Sequence, residues 1–102
     1  MRKAFLNGML GLAEQDERVV LIASDITQAT AIRNFRDTYP KRFFMDGIYE
    51  QHLIGMAAGM AFSGKIPFVT TISTFLTRRC FEQVAIDVCM HNLPVRLFGT
   101  GG

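Results

Sequence analysis

The sequence predicts a single α/β domain, residues 1–102, with a three-layer parallel sheet and helices on both faces. Two observations support this fold class. Segments with apolar residues at helical spacing alternate with short continuous apolar runs, which are typical of strands covered on both faces. The chain contains no internal repeat, linker or low-complexity segment that would divide it. An unbroken alternation of helices and buried strands favours parallel pairing through right-handed crossovers.

In the first half of the chain, apolar residues at helical spacing predict a helix over residues 2–15. The continuous apolar run 19–23 predicts the first strand. A weaker helical pattern covers residues 27–38 and ends before Pro40, since a proline interrupts helical hydrogen bonding. A second, short strand is predicted over residues 42–45.

In the second half, the spacing predicts a helix over residues 50–63 that Gly64 ends. A third strand is predicted over residues 67–71, a last helix over 76–91 and a fourth strand over 93–98. The expected apolar face of the last helix consists of Phe81, Val84, Ala85 and Val88.

The predicted strands end in polar or glycine residues, at 24–25, 46–47, 71–75 and 99–102. The carboxyl ends of parallel strands meet at one edge of a sheet, where ligands of open α/β folds bind. We therefore expect ligand contacts at these four segments. Because the chain stops in a glycine-rich turn directly after a strand, we also expect it to be a fragment of a longer polypeptide.

Composition limits the classes of partner. The apolar fraction of 49%, with nine Phe and no Trp, is high for a free-standing monomer and indicates apolar surface buried against another chain. The net charge is +2, and only Arg78 and Arg79 form a basic cluster, so we expect no nucleic-acid partner. The first 18 residues do not have the pattern of a signal peptide, and no run reaches roughly 18 apolar residues. We expect a cytoplasmic protein that does not enter a membrane.

The two cysteines, Cys80 and Cys89, fall in the same predicted helix. Nine helical residues separate them by about 13 Å, too far for a disulfide. Free thiols fit a reducing compartment. Cys89 and His91 are too few for a metal site, so we expect no metal ligands and two buried thiols.

Glu50 follows a predicted strand and the turn Asp46-Gly47, and it begins a helix rich in Gly and Ala. A carboxylate at this position could serve chemistry at the edge of the sheet. The helix dipole alone also explains an acidic residue in a first turn. The stretch by itself leaves both roles open.

Four segments together carry a family resemblance: Ser24-Asp25, GIYEQHLIGMAAGMA, PFVTTISTFLTR and CFEQVAIDVCMHNLPV. They resemble the pyrimidine-binding domain of the transketolase family of thiamine diphosphate enzymes, over nearly the whole chain. The likeness is strongest to transketolases split into two chains, in which this domain opens the C-terminal subunit. The deoxyxylulose-phosphate synthases share the GI-x-EQH and STFL patterns.

The resemblance implies a set of site residues. Glu50 matches the catalytic glutamate that contacts N1′ of the aminopyrimidine, and Phe75 matches an aromatic residue that stacks on that ring. The synthases also place an arginine here. Arg78 and Arg79 compete for this match, because the spacing from STF and the spacing from EQ differ by one residue. Asp25 matches an acidic residue near the cofactor, although a helix-capping role explains it equally well.

Other residues receive no role in the site. Transketolases proper carry aromatic residues near Phe81, but its position on the apolar helix face favours packing in the core. His52 and His91 are the only histidines. A solvated or capping histidine explains each of them.

The resemblance also implies what the chain lacks. In the family a separate domain with a Gly-Asp-Gly segment holds the diphosphate and its Mg²⁺ or Ca²⁺, and no such segment occurs here. We therefore expect a diphosphate-binding, N-terminal transketolase subunit as partner, in a homo- or hetero-oligomer. The implied reaction transfers a two-carbon ketol unit between sugar phosphates. The alternatives are a deoxyxylulose-phosphate synthase, a 2-oxo acid dehydrogenase β-subunit-like domain, and a non-catalytic assembly domain.

Overall fold

The structure is a computed structural model that describes residues 1–25 and 30–101. Four parallel strands form one sheet in the order β2-β1-β3-β4. The strands are β1 (Val19–Ala23), β2 (Phe43–Phe44), β3 (Ile66–Ile72) and β4 (Arg96–Thr100). The sequence did not predict this order. It places β1 and β3 at the centre, so their carboxyl ends lie side by side.

Helical segments connect the strands. They are α1 (Arg2–Gln15), α2 (Thr30–Thr38), a 3₁₀ turn (Pro40–Arg42), α3 (Glu50–Phe62), a π-helical turn (Phe75–Arg79), α4 (Phe81–Gln83) and a second π-helical turn (Val84–Cys89). Among the described residues, no helix combines the length and the apolar character that a membrane crossing requires.

Two apolar clusters show that helices cover both faces of the sheet. Leu21 of β1 packs in a cluster with buried residues of α1 and α2. Ile22, the next residue, packs in a second cluster with α3 and the last helical segment. Successive side chains of a strand point to opposite faces. This confirms the predicted α/β fold with a three-layer arrangement.

The end of α3 confirms the predicted helix stop. Gly64 has φ 90°, a left-handed conformation that glycine adopts without a side-chain clash. Its N–H donates to the Ala61 carbonyl, and the Lys65 N–H donates to the Met60 carbonyl, both at 3.0 Å. This pair of bonds is the Schellman arrangement. It turns the chain directly into β3.

The last helix and the last strand differ from the prediction. β4 begins at Arg96, three residues later than predicted, because the preceding residues form a turn in which the Val95 N–H donates to the Leu93 carbonyl. Residues 76–91 are largely π-helical. A π turn holds more residues than an α turn, which changes the face that each following residue occupies. The predicted core position of Phe81 is therefore wrong: its side chain is 68% exposed.

Both cysteines are free thiols, as predicted. Cys80 is buried, but Cys89 is exposed, so the expectation of a buried thiol is wrong for Cys89. The second π turn orients Cys89 and its neighbour Met90 away from the core.

For the predicted helix 27–38, the described part begins at Thr30; residues 26–29 lie outside the described residues.

A candidate cofactor site at the carboxyl edge of the sheet

A cleft of about 120 Å³ opens where β1 and β3 end. Its lining includes Ser24, Asp25, Glu50, Thr71, Phe75 and Thr100. Three of the four predicted ligand-binding segments therefore meet at one place: the ends of β1, β3 and β4. From the segment after β2, Ile48 lines the cleft, and the predicted pair 46–47 is not part of the lining.

Glu50 supplies a buried carboxyl group to this cleft. It is the first residue of α3, and its side chain is only 1% exposed. The burial follows from the residues behind it, since Leu53 and Ile54 anchor the same helix in the core. A buried carboxyl needs polar partners. Arg79 Nη1 donates to Oε2 at 2.8 Å, and Thr71 Oγ1 donates to Oε1 at the longer distance of 3.4 Å.

The structure distinguishes the two competing arginines. Arg79 pairs with Glu50, and its Cζ lies 3.9 Å from the centre of the Phe75 ring. Both arginines are exposed and neither lines the cleft; among the described contacts, only Arg79 reaches Glu50 and Phe75. Phe75 and Arg79 are the first and last residues of the π turn. A π turn holds more residues than an α turn, and the two spacings in the sequence differ by one residue.

Cys80 stabilises the π turn from the core side. Its thiol is fully buried and donates to the carbonyl oxygens of Phe75 at 3.2 Å and Leu76 at 3.3 Å. Burial raises the pKa of the Cys80 thiol above its ordinary value, and the nearby charge of Glu50 raises it further. The sulfur therefore remains a protonated donor.

A pair of buried hydroxyl groups lies beneath Glu50. Ser24 Oγ and Thr71 Oγ1 are 2.6 Å apart, and Thr71 also donates to Glu50. Sequence reasoning pointed to both strand ends but assigned no role to either hydroxyl. The register explains their meeting, because Ala23 pairs with Thr70 across β1 and β3. Only the order of the strands could have revealed it.

The remaining predicted residues have different positions. Asp25 lines the cleft and is exposed; the helix start that it could cap lies outside the described residues. His52 Nε2 lies 2.8 Å from Asp46 Oδ2 on the surface. His91 packs edge-on against Phe62. Within residues 1–25 and 30–101, no three His, Cys, Asp or Glu side chains group as metal ligands would.

Comparisons with known proteins identify the family of this chain. Its whole length, residues 1–102, matches the family model "Transketolase, pyrimidine binding domain". It is 47% identical over 89 residues to 1-deoxy-D-xylulose-5-phosphate synthase of Clostridium perfringens (strain SM101 / Type A), a match that covers 87% of this chain and 14% of the relative. It is 45% identical over 93 residues to the synthase of Clostridium botulinum (strain Alaska E43 / Type E3), covering 91% of this chain and 15% of the relative.

A solved structure agrees with these sequence matches. A split gene transketolase, described as an inactive beta4 tetramer, superposes with a TM-score of 0.88 and 34% identity. The match covers 96% of this chain and 33% of the transketolase chain. The chain thus spans a small part of each relative that it matches. It belongs to the transketolase family and is a pyrimidine-binding domain of that family.

Proposed function

We propose that this chain supplies the pyrimidine-binding half of a thiamine diphosphate site, with Glu50 as the catalytic residue. The main support is the carboxyl group of Glu50, which is only 1% exposed, lies at the start of α3 and lines the cleft. An aminopyrimidine is a flat ring with nitrogen atoms at its edge. Glu50 offers a hydrogen-bond partner for the edge, and Phe75 offers a surface for stacking. The residues therefore fit the group.

The chain's own residues would position the ring and handle one proton. Glu50 would hold or exchange a proton at ring nitrogen N1′, in a place from which burial excludes bulk water. Phe75 would orient the ring, and Thr71 would steady the carboxyl group. Asp25 would lie at the rim, near the cofactor. When bound, thiamine diphosphate supplies the electron sink for making and breaking bonds beside a carbonyl carbon.

The other half of the site would come from a partner. We propose that a diphosphate-binding domain or N-terminal subunit holds the diphosphate with Mg²⁺ or Ca²⁺, and that the enzyme is active only as this assembly in the cytoplasm. Two observations support this: the chain has no Gly-Asp-Gly segment, and the similar split transketolase is described as inactive when it is a beta4 tetramer. Two exposed apolar residues, Ile48 in the lining of the cleft and Tyr49 after it in the chain, offer a contact surface.

Two reactions are candidates, and both transfer a two-carbon unit. Ketol transfer between sugar phosphates is supported by the likeness to the split transketolase. Synthesis of a 1-deoxy ketose phosphate is supported by the higher identity to the clostridial synthases and by Arg79, since the synthases place an arginine here. The product in their name is a methyl ketone of five carbons. Pyruvate, after loss of CO₂, would supply two of them and a three-carbon aldehyde phosphate the rest. We favour the synthase reaction.

The test uses the assembled enzyme with two donor substrates. Pyruvate with a triose phosphate should give the deoxy sugar phosphate and CO₂. Turnover of a ketose phosphate donor without CO₂ release would instead support ketol transfer. In either case Glu50→Gln should lower kcat by roughly 10²–10⁴-fold, the usual contribution of acid–base catalysis. Glu14→Gln, an exposed substitution on α1, is the control. Unchanged turnover in Glu50→Gln would refute the role of Glu50.

A further inference from the structure

Arg79 contacts Glu50 and Phe75, the two side chains that bind the pyrimidine ring in the proposed function. Its guanidinium donates to Glu50 at 2.8 Å and covers one face of Phe75 at 3.9 Å. Glu50 and Phe75 line the cleft, but Arg79 is not among the lining residues. Its side chain is 41% exposed. The guanidinium thus reaches both groups from outside the cleft.

From this arrangement, and resting on the proposed function, we propose that Arg79 is a positioning residue. It fixes the carboxyl group of Glu50 and the ring of Phe75 in one geometry before the cofactor binds. The two side chains belong to different elements, α3 and the π turn after β3. Arg79 joins them through space, and it acts on the cofactor only through them.

The chemistry of the side chain explains why it is an arginine. A guanidinium is planar, so its edge can donate hydrogen bonds while its face stacks on an aromatic ring. A lysine ammonium could replace the ion pair with Glu50, but it presents no flat face to Phe75. Both contacts are needed to fix both groups. A lysine should therefore restore part of the function of Arg79 and not all of it.

The other described contact to Glu50 is weaker. Thr71 Oγ1 lies 3.4 Å from Oε1, near the limit for a hydrogen bond. While Arg79 is in place Glu50 is 1% exposed, so in the intact site the carboxyl group depends on protein partners. Without Arg79 the carboxyl group is held by this long bond. Its orientation toward the cleft then becomes less well defined.

The π turn is what gives Arg79 this position. It begins at Phe75 and ends at Arg79, and the Cys80 thiol anchors its first two carbonyl groups. In this wider turn the guanidinium of Arg79 lies over the Phe75 ring. Among the described contacts, Arg78, one residue earlier, meets neither the Phe75 ring nor Glu50. Arg79, at the end of this turn, is therefore the arginine that meets Glu50.

The experiment measures thiamine diphosphate affinity by calorimetry in the assembled enzyme with Mg²⁺. Loss of a hydrogen bond to a charged group corresponds to about tenfold or more in Kd, so Arg79→Ala should weaken binding by about that factor. Arg79→Lys should recover part of the loss. Arg78→Ala removes the same charge one residue away and should leave Kd nearly unchanged. In a Glu50→Ala background, Arg79→Ala should cause a smaller loss than in the wild-type background.

Two results would overturn the inference. Equal losses from Arg79→Ala in the two backgrounds would mean that Arg79 acts on the cofactor independently of Glu50. Unchanged or tighter binding by Arg79→Ala would mean that it positions nothing. If Arg79→Ala does not fold, Arg79→Lys replaces it under the same criteria. Failure of the proposed function is distinct, because then Glu50→Ala alone would leave the affinity for thiamine diphosphate unchanged.

Discussion

Replacing Gly99 by alanine should disturb the cleft from the neighbouring strand. Gly99 lies in β4, and a Cβ added there would meet Ser73 at 2.6 Å from Oγ and 2.8 Å from Cα. Ordinary contact begins at 3.4 Å, and the Ser73 Cα is backbone that no rotamer change can move. The Ser73 carbonyl also accepts a 3.0 Å bond from Thr77 in the π turn. Displacement of Ser73 should therefore reach the turn that carries Phe75.

The magnitude follows from overpacking, which typically costs about 1–3 kcal/mol of folding free energy. For a domain of roughly 100 residues, 1 kcal/mol corresponds to about 4–8 °C in Tm. Gly99→Ala should thus lower Tm by roughly 4–24 °C. The matched control is Gly8→Ala in α1, where a Cβ meets nothing within 4 Å. That substitution should stabilise the fold by about 0.5–1 kcal/mol, because alanine favours the helix over glycine.

Differential scanning fluorimetry and urea unfolding of both variants provide the assay. The reasoning predicts shifts of opposite sign, with Gly99→Ala below the wild type and Gly8→Ala above it. A Gly99→Ala variant as stable as the wild type would refute the close approach of β4 to Ser73.

Two further predictions concern polar contacts. Ser24→Ala should cost about 0.5–1.5 kcal/mol, the usual net contribution of one hydrogen bond, because Thr71 loses its 2.6 Å partner but keeps its bond to Glu50. The double variant with Thr71→Val should cost less than the sum of the two single variants, and additive unfolding free energies would argue against the pair. Hydrogen bonds from Arg18 lower the pKa of Asp16 from 3.8 to about 2. A lowered folded-state pKa stabilises the fold above pH 3.8. By urea unfolding, wild type should be more stable than Asp16→Asn above that pH, and this difference in unfolding free energy should narrow as pH falls toward 2. A difference that widens at low pH would contradict the pairing of Asp16 with Arg18.

Much of the fold could be predicted because its signals are local. The apolar run of β1 and the left-handed Gly64 after α3 each act within a few residues, and both predictions were confirmed. The last helical segment was harder, since a π turn adds a residue that an assumed 3.6-residue period cannot accommodate. That assumption placed Phe81 in the core, where the structure does not have it.

In the candidate site, too, some residues could be predicted from the sequence and others depend on the folded geometry. Resemblance pointed to Glu50 and Phe75, and the structure brings them together in one cleft. The choice between Arg78 and Arg79 depends on the geometry of the π turn. The hydroxyl pair at the ends of β1 and β3 depends on strand order and register. Both are properties of the folded chain that spacing in the sequence does not determine.

Native mass spectrometry of the assembly purified from its own cell tests the central claim most directly. The account predicts a complex of this chain with a diphosphate-binding partner that carries the mass of thiamine diphosphate and a divalent metal. It also predicts that the cofactor mass is lost or diminished when Glu50 is replaced by alanine. An intact assembly without the cofactor mass, even when thiamine diphosphate is supplied in excess, would contradict the account.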